Sequence, residues 1–334
     1  MTTTPSTRPP HIAAQIEQQL GIPGKYGNWW TARRLLQETW KRTPRTIRDC
    51  SFDLREIEGN PYMQVTGDIL WRRALSPAMI GRWVQLVDKR SMYLSACKSV
   101  KTGIGDPVHV EKGQLGELMP GAYRVIWDCG QSQFNGKLYP LIIDEGDEWV
   151  TLDVLYFAIG EGYNIQIEEA WMFPEHARVL EKWATILWDA RQNLTKMGLM
   201  EAANAINDIA HVGPGAFATN KQTHPGIDLI HPNWWADVVG KARINVLANL
   251  KTFGPPVCIR TDGLYFITRG PETERIASVK DQSSILARQH ECGGYRVPTG
   301  FIPFQLTQEI YDEAEGLDHA GLSAMFKKYG GIKS

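Results

Sequence analysis

Apolar residues recur along this chain in two rhythms, one near 3.6 residues and one of two, and together they predict a mixed α+β fold. Residues 1 to about 10 are rich in Thr, Pro and Ser and carry neither rhythm. Ile12 to Leu20 reads as a short amphipathic helix closed by Gly21 and Pro23. Trp29 to Trp40 follows with Trp30, Leu35, Leu36 and Trp40 at helical spacing, and its basic residues Arg33 and Arg34, with Lys41 and Arg42 beyond, fit a solvated face better than a phosphate contact. Beyond Pro107 the pattern turns to strands at Gly121 to Trp127, Leu138 to Ile143 and Trp149 to Leu152, with an acidic turn from Asp144 to Glu148 between the last two. Val154 to Ile159 is expected as a short helix, and Tyr163 to Trp171 alternates as a strand. Pro174 suits the first turn of a long helix from Glu175 to about Asn193. A second helix, about Leu199 to Ala210, is expected to stop at the breaker Gly213-Pro-Gly215. Trp234 to Leu250 sets Val238, Ala242, Val246 and Leu250 on one stripe and predicts a third. Residues 270–334 carry weaker signals.

Two of the apolar runs meet an aspartate at their edge. Trp83, Val84, Leu86 and Val87 lead into Asp88, and Val257, Cys258 and Ile259 lead to Asp262, with Leu264 to Ile267 after it. Two carboxylates from distant strands suit a hard divalent cation, since Mg²⁺ is commonly held by one or two carboxylates together with substrate phosphates. Two such ions can clamp the attacking and leaving oxygens of a phosphoryl transfer. Each aspartate taken alone is also an ordinary strand-end carboxylate capping a turn.

Charge then limits the partners. With 36 basic and 37 acidic residues the formal net charge is -1, so no global basic field exists to grip nucleic acid, although a local groove can act alone. Lys89, Arg90, Lys98 and Lys101 form one such local cluster, either a solvated edge or a template contact. Five scattered cysteines without a CxxC pair argue against a zinc ribbon or a disulfide framework and fit a reducing compartment. The N-terminus has no apolar signal region, and no stretch approaches the roughly 18 consecutive apolar residues of a membrane span. A cytoplasmic protein with no membrane partner is expected. His211, His224 and His231 have no helical zinc-pair spacing, and Gly103-Ile-Gly105 lacks the third glycine of a dinucleotide fingerprint.

In order, these segments resemble the palm and fingers of family B DNA polymerases, most of all the protein-primed phage and plasmid group. Asp88-Lys-Arg-Ser-Met-Tyr-Leu-Ser95 is similar to that family's motif A, D-x-x-S-L-Y-P-S, with Met92 in place of Leu and Leu94 in place of Pro. Arg260-Thr-Asp-Gly263 is similar to motif C, D-T-D-S, with Thr261 and Asp262 retained. Glu148 to Leu152, Gly162 to Ile167 and Glu181 to Trp183 resemble the group's route from motif A into the fingers.

The resemblance implies an α+β fold: an antiparallel palm sheet carrying both aspartates, a helical fingers insertion, and helical N-terminal and C-terminal flanking regions. The implied boundaries are 1–78 for the N-terminal region, 79–173 and 223–275 for the palm, 174–222 for the fingers and 276–334 for a thumb-like region. It implies template-directed DNA synthesis with Mg²⁺ or Mn²⁺ held by Asp88 and Asp262. Tyr93 would pack under the sugar and exclude a 2′-hydroxyl; Ser91, Arg191, Lys196 and Asn207 would lie along the nucleotide. DNA primer–template, deoxynucleoside triphosphates and a terminal or other replication protein are the implied partners.

The departures are specific. Counting back from Gly215, Asn207 stands where motif B, K-x-x-x-N-S-x-Y-G, has its lysine, and counting from Gly213 the residue is Ala205. Arg260 replaces the first acid of motif C and Gly263 its serine, and the stretch before Asp88 is shorter than the usual proofreading exonuclease domain. These departures favour an alternative class, a catalytically degenerate polymerase-like protein that binds DNA or a replication partner. A phosphodiesterase using the same acidic pair is a third reading.

Overall fold

The computed structural model describes residues 8–40, 60–65, 69–113, 116–128, 146–218, 231–273, 276–277 and 283–332. Helices α1 (Pro10–Leu20), α2 (Asn28–Trp40) and α3 (Pro61–Gln64) come first, followed by β1 (Leu70–Arg72), β2 (Trp83–Lys89) and α4 (Met92–Cys97). Next come β3 (Thr102–Ile104), β4 (Val108–Glu111), β5 (Gly121–Asp128), β6 (Gly146–Thr151), α5 (Leu152–Gly160), β7 (Asn164–Met172) and β8 (Glu175–Ala177). Three long helices, α6 (Glu181–Lys196), α7 (Met200–Ala218) and α8 (Pro232–Phe253), lead to β9 (Cys258–Arg260) and β10 (Gly263–Thr268). The chain closes with β11 (Tyr295–Arg296), β12 (Phe304–Gln305), α9 (Gln308–Ala314) and α10 (His319–Tyr329).

The fold is α+β with antiparallel sheets. The main sheet runs β1-β9-β10-β2-β11, and β12 also pairs with β2. A second sheet has the order β4-β7-β5-β6, and β3 pairs with β8 alone. β2 is buried on both faces, so its apolar run is nearly continuous rather than alternating. Val87, Ile259, Leu264 and Phe266 face the large core shared with α4, α6, α7 and α8. Val84, Leu86, Cys258 and Tyr265 face a second core closed by α9 and α10 through Ile310, Leu322, Met325 and Phe326. The weak signals of the C-terminal tail therefore contain two capped helices: Thr307 Oγ1 accepts from Ile310 N, and an Asp318 carboxylate oxygen accepts from Gly321 N at 2.7 Å.

Three sequence expectations need correction. The helix placed at Glu175 starts at Glu181, because Glu175–Ala177 pairs with Thr102–Ile104 as a strand. Gly146 to Glu148 extend β6 against Val125 to Trp127 instead of forming a turn. Gly213-Pro-Gly215 does not end α7, which continues to Ala218 with Pro214 inside it. Leu138 to Ile143, Asp144 and Glu145 of the expected turn, Lys41, Arg42 and His224 lie outside the described residues. Among the described residues, no helix is long and apolar enough to cross a membrane.

Gly213 has a packing reason to be glycine. A Cβ there would lie 2.4 Å from the ring of Trp183, a fully buried side chain whose Nε1 donates to Ala32 O at 3.2 Å. The missing side chain lets α7 close onto α6. Gly213→Ala is expected to lower stability by about 1–3 kcal/mol, the usual cost of overpacking. Gly215→Ala, where nothing lies within 4 Å of the added Cβ, should be neutral or better. Equal urea midpoints for the two variants would sink this account.

Candidate active site

The β9–β10 hairpin delivers Asp262 to the end of β2. Gly263 pairs with Asp88 across the β10–β2 ladder and with Arg260 across the hairpin, which leaves Thr261 and Asp262 as the connecting residues. Lys89 N donates to Asp262 O at 3.0 Å, and Thr261 N to Ile69 O at 2.9 Å. Thr261 has φ 57°, and Ser91, three residues after Asp88, has φ 50°. Among the described residues only Asn60 joins them as a non-glycine with positive φ. Strain of this kind, on the order of 1–3 kcal/mol per residue, persists only where surrounding contacts over-determine it.

The two carboxyls are coupled. Burial pushes Asp262 up to about 7, the like charge of Asp88 adds to this, and a side-chain hydrogen bond between the two completes it. Asp262 therefore keeps its proton up to about neutral pH, because a buried carboxyl beside a like charge disfavours its ionised form. Both line a cleft of about 280 Å³ with Arg260 and Lys327.

Cations crowd the other side. Arg296 on β11 stands opposite Asp88 in register, and its Nη2 and Nε donate to Asp88 Oδ2 at 3.2 and 3.3 Å. From α6, Arg191 Nη1 donates to Ser91 Oγ at 2.6 Å. Burial lowers Arg191 to about 10, with the charges of Arg90 and Arg296 adding to the shift. Arg90 lies over the Trp188 ring at 5.5 Å. His211 on α7 is held below its usual value by burial first and then by Arg191, and it also senses Asp88 and Arg296. A carboxylate pair flanked by crowded guanidiniums is a place where a polyanion and a hard cation would relieve each other's cost.

The sequence-derived residues divide here. Asp88, Asp262, Ser91 and Arg191 come together. Tyr93 is the second residue of α4, half-buried, and packs against both the large core and a smaller cluster containing Tyr62, Phe173 and Val239; it does not line the aspartate cleft. Lys196 is exposed at the last position of α6, and Asn207 is half-buried on α7, one turn before His211. Sequence reasoning missed Arg296 and Lys327, and it weighed His211 only as a zinc ligand. Only Arg296 had a local signal, as a lone cation after Gly293 and Gly294 within an otherwise apolar stretch.

The fold as a whole has counterparts among solved structures. The fold is similar to that of phi29 DNA polymerase. The phi29 enzyme, a protein-primed family B polymerase, matches in its complex with single-stranded DNA at a TM-score of 0.57 and 12% identity, over 88% of this chain and 55% of that one. Its post-translocation binary complex with primer-template DNA gives 0.57 and 13% over 87% and 55%. Its ternary complex with primer-template DNA and incoming nucleotide substrates gives 0.57 and 12% over the same shares. The chain thus spans about half the length of the phi29 polymerase chain, and at this identity the likeness is one of fold. The resemblance read from the motifs is borne out at that level. No protein-family model and no curated protein matches the chain.

Proposed function

We propose that this chain is a minimal family B-like DNA polymerase that performs template-directed, Mg²⁺- or Mn²⁺-dependent nucleotidyl transfer. The observation that carries this reading is the meeting of Asp88 and Asp262, from segments far apart in sequence, in one cleft where burial and the neighbouring carboxylate hold Asp262 up to about 7. Their donor chemistry fits a hard cation, which takes one or two carboxylates and completes its shell with water and substrate phosphates. Among the described residues, no three or more His, Cys, Asp or Glu stand together as a ligand group. When bound there, the ion supplies charge stabilisation at the reacting phosphoryl oxygens.

The chain's own residues would do the rest. In this reaction the primer hydroxyl oxygen forms a bond to the α-phosphorus while the bond to the pyrophosphate oxygen breaks. Arg191, Arg90 and Arg296 form the wall against which the triphosphate's negative charge would be neutralised, and Ser91 sets the direction of Arg191 through its 2.6 Å hydrogen bond. Lys196 and Asn207 would border the nucleotide on the helical insertion, and Tyr93 would act on the sugar after a shift of α4. In this reading the palm comprises 79–173 and 223–275, the fingers 174–222, the thumb-like region 276–334 and the N-terminal region 1–78. Primer–template DNA, deoxynucleoside triphosphates and a replication protein are the proposed partners.

One observation favours the second reading, a polymerase-like protein that binds DNA without chemistry: Arg296 already occupies Asp88 Oδ2. The test is primer extension with a labelled primer–template and each nucleotide class, in Mg²⁺ and in Mn²⁺. Template-dependent extension supports the polymerase. Duplex binding with no extension in either metal sinks it and leaves the binding scaffold.

A further inference from the structure

A larger cleft, about 710 Å³, opens on the other face of β2. Neighbouring side chains along a strand point to opposite faces. Asp88 accordingly lines the acidic cleft, and Lys89 lines this one. Its size lies within the range of about 300–1,000 Å³ usual for small-molecule sites.

The charge inside is one-sided. Lys89, Lys98, Arg288 and His290 line the cleft against one carboxylate, Glu291. Glu291 is committed to Arg288, whose Nε donates to it at 2.6 Å. Among the described residues, Lys98 and His290 have no ion pair at all. Lys89 is the decisive group. It is 3% exposed, donates from Nζ to Asn245 O at 3.1 Å and sits 4.7 Å from the Tyr295 ring, with no carboxylate partner among the described residues. An ammonium has three donors, and a buried one without an anion is costly. An arriving anion would supply the partner that this buried ammonium lacks. Ser95, Ser99 and Asn249 add neutral donors on the same walls. The approach of the 290s loop to α4 depends on Gly293, where a Cβ would meet Ser95 Oγ at 2.3 Å.

The geometry points to a second anion site: this cleft holds the phosphate of a nucleic-acid component, either a strand's phosphodiester or the phosphates of a nucleotide, apart from the carboxylate pair. That the phosphate belongs to nucleic acid rests on the function proposed above; the anion site itself does not. The basic cluster noticed in sequence, Lys89 to Lys98, thereby gains a partner in Arg288, which lies close to Lys89 despite the long stretch of chain between them.

The test compares the wild-type chain with the double variant Lys98→Glu/Arg288→Glu. Arg288 is largely exposed and Lys98 half-buried at the rim, and circular dichroism checks that the variant folds. The probes are a labelled single-stranded oligonucleotide, a deoxynucleoside triphosphate and pyrophosphate, with binding measured at several salt concentrations. If a strand is held, oligonucleotide affinity falls roughly tenfold and the log–log salt slope shrinks by about 1.4, near 0.7 for each lost single-strand phosphate contact. Loss confined to the triphosphate and pyrophosphate assigns the site to a free nucleotide. Loss of pyrophosphate binding in a protein that binds no nucleic acid keeps the anion site and removes the polymerase reading. A folded variant that binds all three probes as the wild type does overturns the inference. Lys89→Met, which removes the buried charge, should weaken the same probe as the double variant.

Discussion

Replacing Asp262 by asparagine is expected to lower template-directed extension by about 10³-fold or more, because a charge-stabilising group at a reacting phosphoryl centre is worth at least that of a single preorganised donor. The same change should make the ion-free protein more stable at pH 8. The folded carboxyl titrates near 7, above its unfolded value of 3.8, so the folded state holds the extra proton between those two values. Stability from this group is fully present below the unfolded value and is lost as pH rises through about 7. Asparagine cannot ionise and escapes that loss. Each kcal/mol recovered should raise the melting temperature by about 2–4 °C at pH 8, with no gain at pH 4. Mg²⁺ should reverse the order. Cation binding requires both carboxylates ionised, so it should stabilise the wild type at pH 8, weaken as pH falls through about 7, and release a proton visible as a buffer-dependent heat. A variant that extends normally, or a wild type whose melting is indifferent to Mg²⁺ at pH 8, would falsify the metal assignment.

Arg191→Ala should reduce kcat/KM for the incoming nucleotide by roughly 10²-fold, mostly through KM, since a fixed cation facing the triphosphate would be gone. Its guanidinium is already uncomfortable where it sits, lowered to about 10 by burial and by Arg90 and Arg296. Folding stability should therefore hold, and it separates a substrate-facing role from a structural one. Arg191→Lys should recover only part of the rate, because an ammonium keeps the charge but loses the planar fork that reaches Ser91. Ser91→Ala should have a small effect of its own, through the orientation of Arg191. Unchanged steady-state constants in Arg191→Ala would move the triphosphate's partner to Arg90, Arg296 or His211.

How much of this was legible in the sequence differs between elements. The strands ending at Asp88 and around Asp262 were plain, because both runs are apolar and end at turns. The helix Trp234 to Leu250 was plain for a similar reason, a stripe long enough that only its ends moved. Glu175 misled because a proline followed by an acid is a sound helix start, and only pairing with Thr102–Ile104 made it a strand. Gly213-Pro-Gly215 misled because local propensity was outweighed by packing against Trp183. Tyr93 was placed by its offset from Asp88, which says nothing of the direction in which its ring points from α4.

Periodicity, turn residues and the spacing of two short motifs determined the α+β class, the resemblance and the two carboxylates. These are properties of a window, since each depends on residues close together in the chain. The state of the site was decided elsewhere. Arg296 lies 208 residues from Asp88 and reaches it because β11 pairs with β2. Arg191 meets Ser91 across 100 residues because α6 packs on α4. The raised carboxyl of Asp262 and the buried ammonium of Lys89 exist because burial removes water from groups that would be ordinary in an open chain. Desolvation and juxtaposition are consequences of packing, so they appear only once the chain has folded.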